Sequence, residues 1–534
     1  VDDVTNNSII VSDLKPETEY TFCVGTAADV DGVTYRGVKW SDELKGSTTK
    51  SSGRKTADAI GSISTVVEDA SGIQQTIKMS SKDGEYYLFL PSYADMQEFK
   101  LNFACNGENQ NIMIIGSKAA KEFSGDSLAF DIAEVMGDAT ADAFELGVAI
   151  EGMDPMKLHV MKSSEVRSLY LMSSSEAENR DFVDASKQNK TTGTMQLVDS
   201  KGLTIYNGGL KQIKARGNST FGHYPKKSYQ IKLEAASDLL DQNENVKTWV
   251  LLANYGDATQ MHDKLFKDLA AKLGMPYVAS CDWVDLYYDG EYRGTYLFSE
   301  KNSVQSTGVD ISDLEKEYEA SNDGYGTDSV IAETTNKYGQ KMVYTENLTE
   351  PQNITGGYLI ERNLEAIDEV NGFYTRTGSA FNVKSPEFAG KEAMTYISEY
   401  YQEFEDAVYA KDENGNYTGY NEQTGKYYYE YCDKESLVKV FLLQELALNP
   451  DGFQSSFYFY KDKDGILYAG PIWDQDMTLG TGFTKKVEAN ITYYPYLAEA
   501  LIRIPDFNQA VKKYYQGPLL LARFSTLWYC FCLD

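Results

Sequence analysis

The sequence predicts a multidomain chain in which all-β sandwich modules precede a larger α+β domain with two lobes. At 534 residues the chain is too long for one ordinary hydrophobic core. Short apolar runs separated by turn residues dominate up to residue 302, whereas most of the long apolar stripes with helical spacing follow later. This change of pattern predicts a strand-rich part followed by a helix-rich part.

The first segment carries "DLKPETEY" followed by alternating Tyr20, Phe22 and Val24. A turn that leads into alternating apolar residues predicts a half-buried strand. Together with a later Trp-Ser pair, this segment resembles the C-terminal two thirds of a fibronectin type III module. We therefore predict a partial fibronectin type III module over residues 1–49. Residues 50–59, "KSSGRKTADA", are small and polar and are predicted to be a linker.

Three further domains are predicted along the chain. Short apolar runs such as "YYLFLPS" and "NIMIIGS" predict an Ig-like β-sandwich module over residues 60–162. Residues 163–302 contain longer strand patterns and are predicted to form a strand-rich first lobe. Residues 303–534 are predicted to form a helix-rich second lobe, either complete or truncated, with a cleft between the two lobes.

Three helices are predicted from apolar spacing and from their end signals. "DKLFKDLAAKLG" has a helical apolar stripe and Gly274 as its stop, and "KEAMTYISEYYQEFEDAVYA" has a second stripe. "DKESLVKVFLLQELALNP" is apolar on most faces, which predicts a buried helix. Asp433 is its expected N-cap, and Pro450 prevents its continuation.

Composition argues against several kinds of partner and site. A net charge of -30 argues against nucleic acid or anionic lipid as a main partner. No run of eighteen apolar residues occurs, so no membrane span is expected. Six cysteines without a CxxC pair suggest neither a disulfide scaffold nor a zinc site. Acidity and an adhesion-type module favour an extracellular or cell-surface bacterial protein. The chain begins with Val1, so the lack of a signal peptide carries no information.

The stretch "NPDGFQSSFYFYKDKDGILYAGPIWDQDMTLG" has the pattern of a hairpin with acids at both ends. Asp451 directly follows the predicted buried helix, and the returning strand leads to Asp474. A hairpin would bring these two acids close together. Two converging carboxylates can hold a divalent cation and accept a proton from an attacking hydroxyl. The alternative is that both are turn residues or strand-end caps.

A basic region over residues 213–234, "IKARGNSTFGHYPKKSYQIKLE", is the second candidate. Arg216 and Gly217 precede Asn218 and Ser219 in a polar turn whose backbone N–H groups and hydroxyls could face phosphates. Lys227 shares one side of the next strand with apolar residues, so it is expected to need an anionic partner such as a nucleotide phosphate. Lys232 lies on the same strand. The alternative is a solvated basic edge strand.

Two weaker candidates follow. Glu300 ends the strand of "EYRGTYLFSE" and could accept hydrogen bonds from an adenine amine or a ribose, although such a residue is more often simply exposed. In "TGGYLIERN", Glu361 and Arg362 follow a short apolar strand. Lys384 ends a later strand, in "GFYTRTGSAFNVKSPE". Either the acid or a base of this region could contact a substrate, but a structural salt bridge is the favoured interpretation.

In this order the motifs resemble the CotH family of atypical protein kinases, which was first known from spore coats. The resemblance spans roughly residues 165 to 510. It depends on "RGNST…PKKSYQIKL", "WVLLANYGDAT", "LYYDGEYRGTYLFSE", "GGYLIERN", "NPDGFQSSFYFYKDKDG" and "GPIWDQDMTLG". It implies a two-lobed protein-kinase-like fold that binds ATP with Mg²⁺ or Mn²⁺ and phosphorylates serine on protein partners, such as Ser-rich surface or coat proteins.

The resemblance also implies roles for individual residues. Asp451 would be the aspartate of the catalytic loop that orients or deprotonates the acceptor hydroxyl, and Asp474 would bind the metal that bridges the phosphates. Asp476 would support Asp474 or bind the metal as well. Lys227 is the preferred phosphate-contacting lysine, followed by Lys232. The remaining predicted nucleotide contacts are Arg216, Asn218, Ser219 and Glu300.

The sequence departs from the family at one metal position. Family members often carry an asparagine a few residues after the catalytic acid, whereas this chain offers Gln454, Ser455 and Ser456, which are weaker ligands. Ser456 is our candidate for that position. Two functions therefore follow: an ATP- and metal-dependent serine kinase, or a catalytically inactive kinase-like scaffold for surface display, adhesion or protein binding.

Overall fold

A computed structural model describes the chain from residue 11 to residue 519, apart from residues 12–13, 31–32, 49, 108–109, 126, 137–141, 243–244, 328, 364–366, 368–369 and 482–496. The chain divides into two compact units. The first unit comprises Val1–Arg216, Ile231–Glu234 and Trp283–Tyr296. The second unit comprises Gly217–Gln230, Ala235–Asp282 and Leu297–Asp534. Strands predominate, because the described residues form thirty strands and nine α-helices.

Four short strands lie near the N-terminus: β1 (Glu19–Phe22), β2 (Gly25–Val30), β3 (Val33–Trp40) and β4 (Leu44–Ser47). β1 pairs antiparallel with β4, and β2 pairs antiparallel with β3. Tyr20 and Phe22 are half-buried with stacked rings, as the alternation predicts. Val24 lies outside the strand and is 62% exposed. The fibronectin type III assignment stays a prediction.

The next segment contains one short helix, α1 (Thr56–Ala59), and ten strands: β5 (Ile60–Glu68), β6 (Gln74–Lys78), β7 (Ser80–Lys82), β8 (Glu85–Leu90), β9 (Lys100–Cys105), β10 (Gln110–Ile115), β11 (Ala120–Gly125), β12 (Ser127–Asp131), β13 (Ala143–Ile150) and β14 (Met156–Lys162). Six strands form a sheet in the order β11-β10-β13-β14-β8-β7, and β12, β9, β5 and β6 are neighbours in another sheet. Both sheets contribute side chains to one buried cluster that includes Ile63, Phe103, Ile114 and Leu158. The Ig-like assignment stays a prediction.

The following segment supplies three helices and seven strands: β15 (Arg167–Ser173), α2 (Arg180–Ala185), β16 (Lys190–Val198), β17 (Thr204–Arg216), α3 (Ser219–His223), β18 (Ser228–Ser237), β19 (Val246–Leu252), α4 (His262–Lys272), β20 (Cys281–Tyr288) and β21 (Glu291–Glu300). In the first unit β16 pairs antiparallel with β15 and β17, and β15 pairs parallel with β20. In the second unit β19 pairs antiparallel with the end of β21, where Trp249 is opposite Glu300. Strands therefore dominate residues 163–302, as predicted.

The rest of the chain forms α5 (Leu314–Ser321), β22 (Ile331–Thr335), β23 (Lys341–Thr345), β24 (Tyr358–Asn363), β25 (Gly372–Tyr374), β26 (Ala380–Ser385), α6 (Lys391–Tyr409), β27 (Tyr420–Asn421), β28 (Lys426–Tyr427), α7 (Lys434–Ala447), β29 (Phe457–Lys461), β30 (Leu467–Ala469), α8 (Leu497–Arg503) and α9 (Pro505–Tyr514). Seven strands form one sheet in the order β22-β23-β25-β26-β24-β29-β30. In the described part of this segment the helices α5–α9 contain more residues than the strands, but the sequence pattern did not indicate the seven-stranded sheet. Strands of three to six residues give too little alternation to be recognised in the sequence.

The three predicted helices are present as α4, α6 and α7. Gly274 follows α4 with φ +68°, a conformation that favours glycine. Asp433 caps α7 by accepting a hydrogen bond from the Ser436 N–H at 2.7 Å. α7 is buried on most of its surface, and it belongs to a cluster in the second unit with α4, α6 and the central strands. The predicted hairpin is also confirmed, because β29 pairs antiparallel with β30.

Candidate active site

The end of α7 and the β29–β30 hairpin together position the acids predicted from sequence. Leu448, with φ +51°, ends α7, and the buried Asn449 accepts a hydrogen bond from the Asp451 N–H at 3.0 Å. The Asp451 carbonyl accepts hydrogen bonds from the Gln454 and Ser455 N–H groups at 2.9 and 3.0 Å. Residues 449–455 therefore form a hydrogen-bonded loop directly after a rigid helix.

The two ends of the hairpin meet at Ser456 and Asp474, whereas the approach of Asp474 to Asp451 stays a prediction. Ser456 Oγ donates a hydrogen bond to Asp474 Oδ2 at 2.9 Å, although 18 residues separate them. After the second strand the chain returns to α7, where the Leu479 N–H donates to the Ala447 carbonyl at 2.7 Å. Asp474 is exposed and has φ +60°. The hairpin thus presents one accessible carboxylate beside the serine predicted as a metal ligand.

The acids near this loop affect one another electrostatically. The pKa of Asp476 lies well above its usual value because the side chain is buried and because Asp474, Asp263 and Asp451 carry like charges nearby. Burial also raises the pKa of Asp451. A raised pKa suits a carboxylate that accepts a proton from a hydroxyl. Among the described residues, however, no three His, Cys, Asp or Glu side chains form a group that would hold a metal ion by themselves.

Asp263 joins this group of acids although the sequence analysis did not single it out. It lies in the first turn of α4, is 2% exposed, and accepts a hydrogen bond from the Gln475 N–H at 2.7 Å. Lys267, one turn later and 1% exposed, donates to Ser299 Oγ at 2.6 Å. A signal was present in the sequence: both charged residues fall on the apolar stripe of the helix, beside Phe266 and Ala270.

Arg362 is a second residue whose role was missed. Its guanidinium is buried and donates a hydrogen bond to the carbonyl of Phe453, two residues after Asp451. Its neighbour Glu361 forms the predicted salt bridge, at 3.0 Å from Lys384 Nζ. In "GGYLIERN", Glu361 therefore forms a salt bridge, whereas Arg362 anchors the loop that carries Asp451.

The basic candidates lie on and around β18. Lys227 Nζ donates to the carbonyls of Phe221 and Tyr224 at 2.6 and 2.8 Å and lies over the Phe221 ring. Its ammonium is thus half-buried among backbone acceptors. Lys232 is exposed. Phosphate contact by either lysine stays a prediction.

The other predicted nucleotide contacts differ in burial. Arg216 is half-buried at the end of β17, and Asn218 and Ser219 are exposed at the start of α3. Glu300 is 2% exposed, which excludes the alternative that it is simply a solvated strand end. Its N–H donates to the Ser280 carbonyl at 3.0 Å. A nucleotide contact by any of these four residues stays a prediction.

Comparison with protein families identifies this part of the chain. The family model described as CotH kinase protein matches residues 213–524, which is more than half of the 534 residues. The chain belongs to the CotH family. Comparison with curated proteins gives no match. The matched CotH region contains Asp263, Asp451, Asp474 and Asp476.

No helix in the described part of the chain is long and apolar enough to cross a membrane.

Proposed function

We propose that this protein is an ATP- and metal-dependent kinase that phosphorylates serine or threonine on a protein partner. The observation that supports this most strongly is the group of acids at the β29–β30 hairpin in a chain of the CotH family. Asp451 lies on an ordered loop, and Asp474 is exposed beside Ser456. This arrangement combines a proton acceptor with a candidate cation ligand, as phosphoryl transfer requires.

In the proposed reaction Asp451 orients the acceptor hydroxyl and takes its proton. A new bond forms between the hydroxyl oxygen and the γ-phosphorus, the bond from that phosphorus to the β-phosphate oxygen breaks, and ADP leaves. Asp474, Asp476 and Ser456 would hold Mg²⁺ or Mn²⁺, which would neutralise negative charge on the phosphates. Mg²⁺ usually takes one or two carboxylates together with substrate phosphates, so a site without a complete protein cage fits this chemistry.

A catalytically inactive scaffold for surface display, adhesion or protein binding is the second candidate. One observation favours it: this chain carries Gln454, Ser455 and Ser456 where members of the family often carry asparagine. Retention of Asp451, Asp474 and Asp476 favours the kinase.

We also propose that the protein acts outside the cell or at the cell surface, with a Ser-rich surface or coat protein as its substrate. The resemblance of residues 1–49 to a fibronectin type III module supports this location. Protease treatment of intact cells tests it: an exported protein is degraded, whereas protection of the protein in unlysed cells argues against export.

The kinase is tested by incubating purified protein with Mg²⁺ or Mn²⁺ and γ-labelled ATP, with itself or a Ser-rich protein as acceptor. Asp451→Ala and Asp474→Ala are each expected to reduce transfer by about 10²-fold or more, which is typical for loss of such a group. Asp412→Ala is the matched control, because Asp412 bonds to Asn414 and Asn416 in its own exposed turn. Transfer that survives both changes refutes the assignment of Asp451 and Asp474 to the active site, and a wild type that transfers no phosphate contradicts the kinase. No nucleotide binding at all favours the scaffold.

A further inference from the structure

Helix α4 presents two charged side chains on its buried face. Asp263 and Lys267 are four residues apart, so they lie on the same side of the helix, and both are almost completely buried. Burying a charge costs free energy unless it has a partner. The partners of these two residues therefore indicate what they do.

Lys267 donates one hydrogen bond to Ser299 Oγ at 2.6 Å, and both charged residues also contact the segment that consists of residues 473–475. Asp263 Oδ1 accepts the Gln475 N–H at 2.7 Å. Lys267 Nζ lies 4.9 Å from the centre of the Trp473 ring, within the range of a cation–π interaction. Asp474 lies between Trp473 and Gln475 in the chain. α4 thus contacts both neighbours of the residue predicted to bind the metal.

Asp474 has a backbone conformation that needs support. Its φ of +60° is in the left-handed region, which aspartate adopts more readily than most residues but less readily than glycine. Such conformations persist where surrounding contacts determine them. The contacts from α4 on either side of Asp474 supply that support.

We infer that Asp263 and Lys267 are positioning residues, which hold Trp473 and Gln475 so that Asp474 faces the nucleotide-bound cation. This inference depends on the proposed function. Stabilisation of the helix N-terminus would by itself explain an acid in the first turn of α4, since negative charge is favourable there. It would not explain why the carboxylate accepts the N–H of a residue 212 positions away.

The test measures Mn²⁺ binding in the presence of ATP directly, by electron paramagnetic resonance of free Mn²⁺, so it does not require phosphate transfer. Asp263→Ala removes the acceptor for the Gln475 N–H and is expected to weaken Mn²⁺ binding roughly tenfold or more. Asp263→Asn keeps an acceptor oxygen and is expected to stay within about threefold of the wild type. Lys267→Met keeps apolar contact with Trp473 but loses the charge, and is expected to weaken binding roughly threefold to tenfold.

Asp433→Ala is the matched control. It also removes an aspartate that accepts a backbone N–H at 2.7 Å, but at the start of α7. Thermal unfolding without metal reports the structural cost of each change. Equal weakening by Asp263→Ala and Asp433→Ala would overturn the inference, as would unchanged binding in Asp263→Ala. Equal loss in Asp263→Asn and Asp263→Ala would also overturn it, because the charge and not the acceptor would then matter.

If the wild type itself binds no Mn²⁺ with ATP, the proposed function fails as well. If the wild type binds Mn²⁺ in the presence of ATP and Asp263→Ala binds it equally well, only the positioning role fails. The two failures are therefore distinguishable in one experiment.

Discussion

We expect Arg362 to contribute both to the stability of the CotH region and to its phosphate transfer. Its buried guanidinium donates a hydrogen bond to the Phe453 carbonyl, and Phe453 itself has φ +61°. Phe453 follows Asp451 by two residues, so the guanidinium holds the loop that carries the predicted proton acceptor. We predict that Arg362→Met lowers both the stability of the second unit and phosphate transfer.

The expected size follows from these contacts. A hydrogen bond from a charged donor contributes about 1.5–3 kcal/mol, and the left-handed conformation of Phe453 costs roughly 1–2 kcal/mol that the anchor offsets. We therefore expect the free energy of unfolding to fall by about 2–3 kcal/mol. If the loop then relaxes away from its active position, transfer falls roughly tenfold or more, since about 1.4 kcal/mol corresponds to a factor of ten.

Urea denaturation measures the first effect, and transfer of labelled phosphate at a temperature where the variant is folded measures the second. Arg376→Met is the matched control, because Arg376 pairs with Asp406 at 2.7 Å but is 52% exposed. Exposed pairs contribute about 0–1 kcal/mol. If folded Arg362→Met protein transfers phosphate at the wild-type rate, the guanidinium does not position Asp451. Equal stability losses in the two variants would contradict the buried anchor.

Two further predictions concern stability. A Cβ at Gly356 would lie 2.0 Å from the Asp462 carbonyl carbon, so Gly356→Ala should lower the free energy of unfolding by about 3 kcal/mol or more. Gly415→Ala, where nothing lies within 4 Å, should cost about 1 kcal/mol, and similar urea midpoints for the two would refute this. Burial lowers the pKa of Lys461 to about 8, although Asp464 and Asp462 oppose the shift. Because the unfolded side chain loses its proton only near pH 10.4, wild type should gain stability relative to Lys461→Met between about pH 8 and 10.4. A difference in melting temperature that is constant from pH 7 to pH 10 would contradict this.

Local rules allowed several features to be predicted from the sequence. α7 could be placed because Asp433 caps it and Pro450 follows it, and the hairpin after it because two apolar runs flank a polar turn. The structure then pairs Ser456 with Asp474, because antiparallel strands bring their outer ends together. Each of these features is fixed by neighbouring residues, so periodicity and turn chemistry are sufficient.

The partners of α4 and of Arg362 required the tertiary structure. Periodicity places Asp263 and Lys267 on the buried face of a helix, but it does not show what that face contacts. Gln475 is 212 residues from Asp263, and Phe453 is 91 residues from Arg362. The sequence by itself therefore determined three of the helices and the hairpin, and it supplied the candidate acids at the ends of that hairpin. The tertiary structure decided which distant side chains hold those acids, because contacts between distant segments depend on packing and leave no periodic pattern in the sequence.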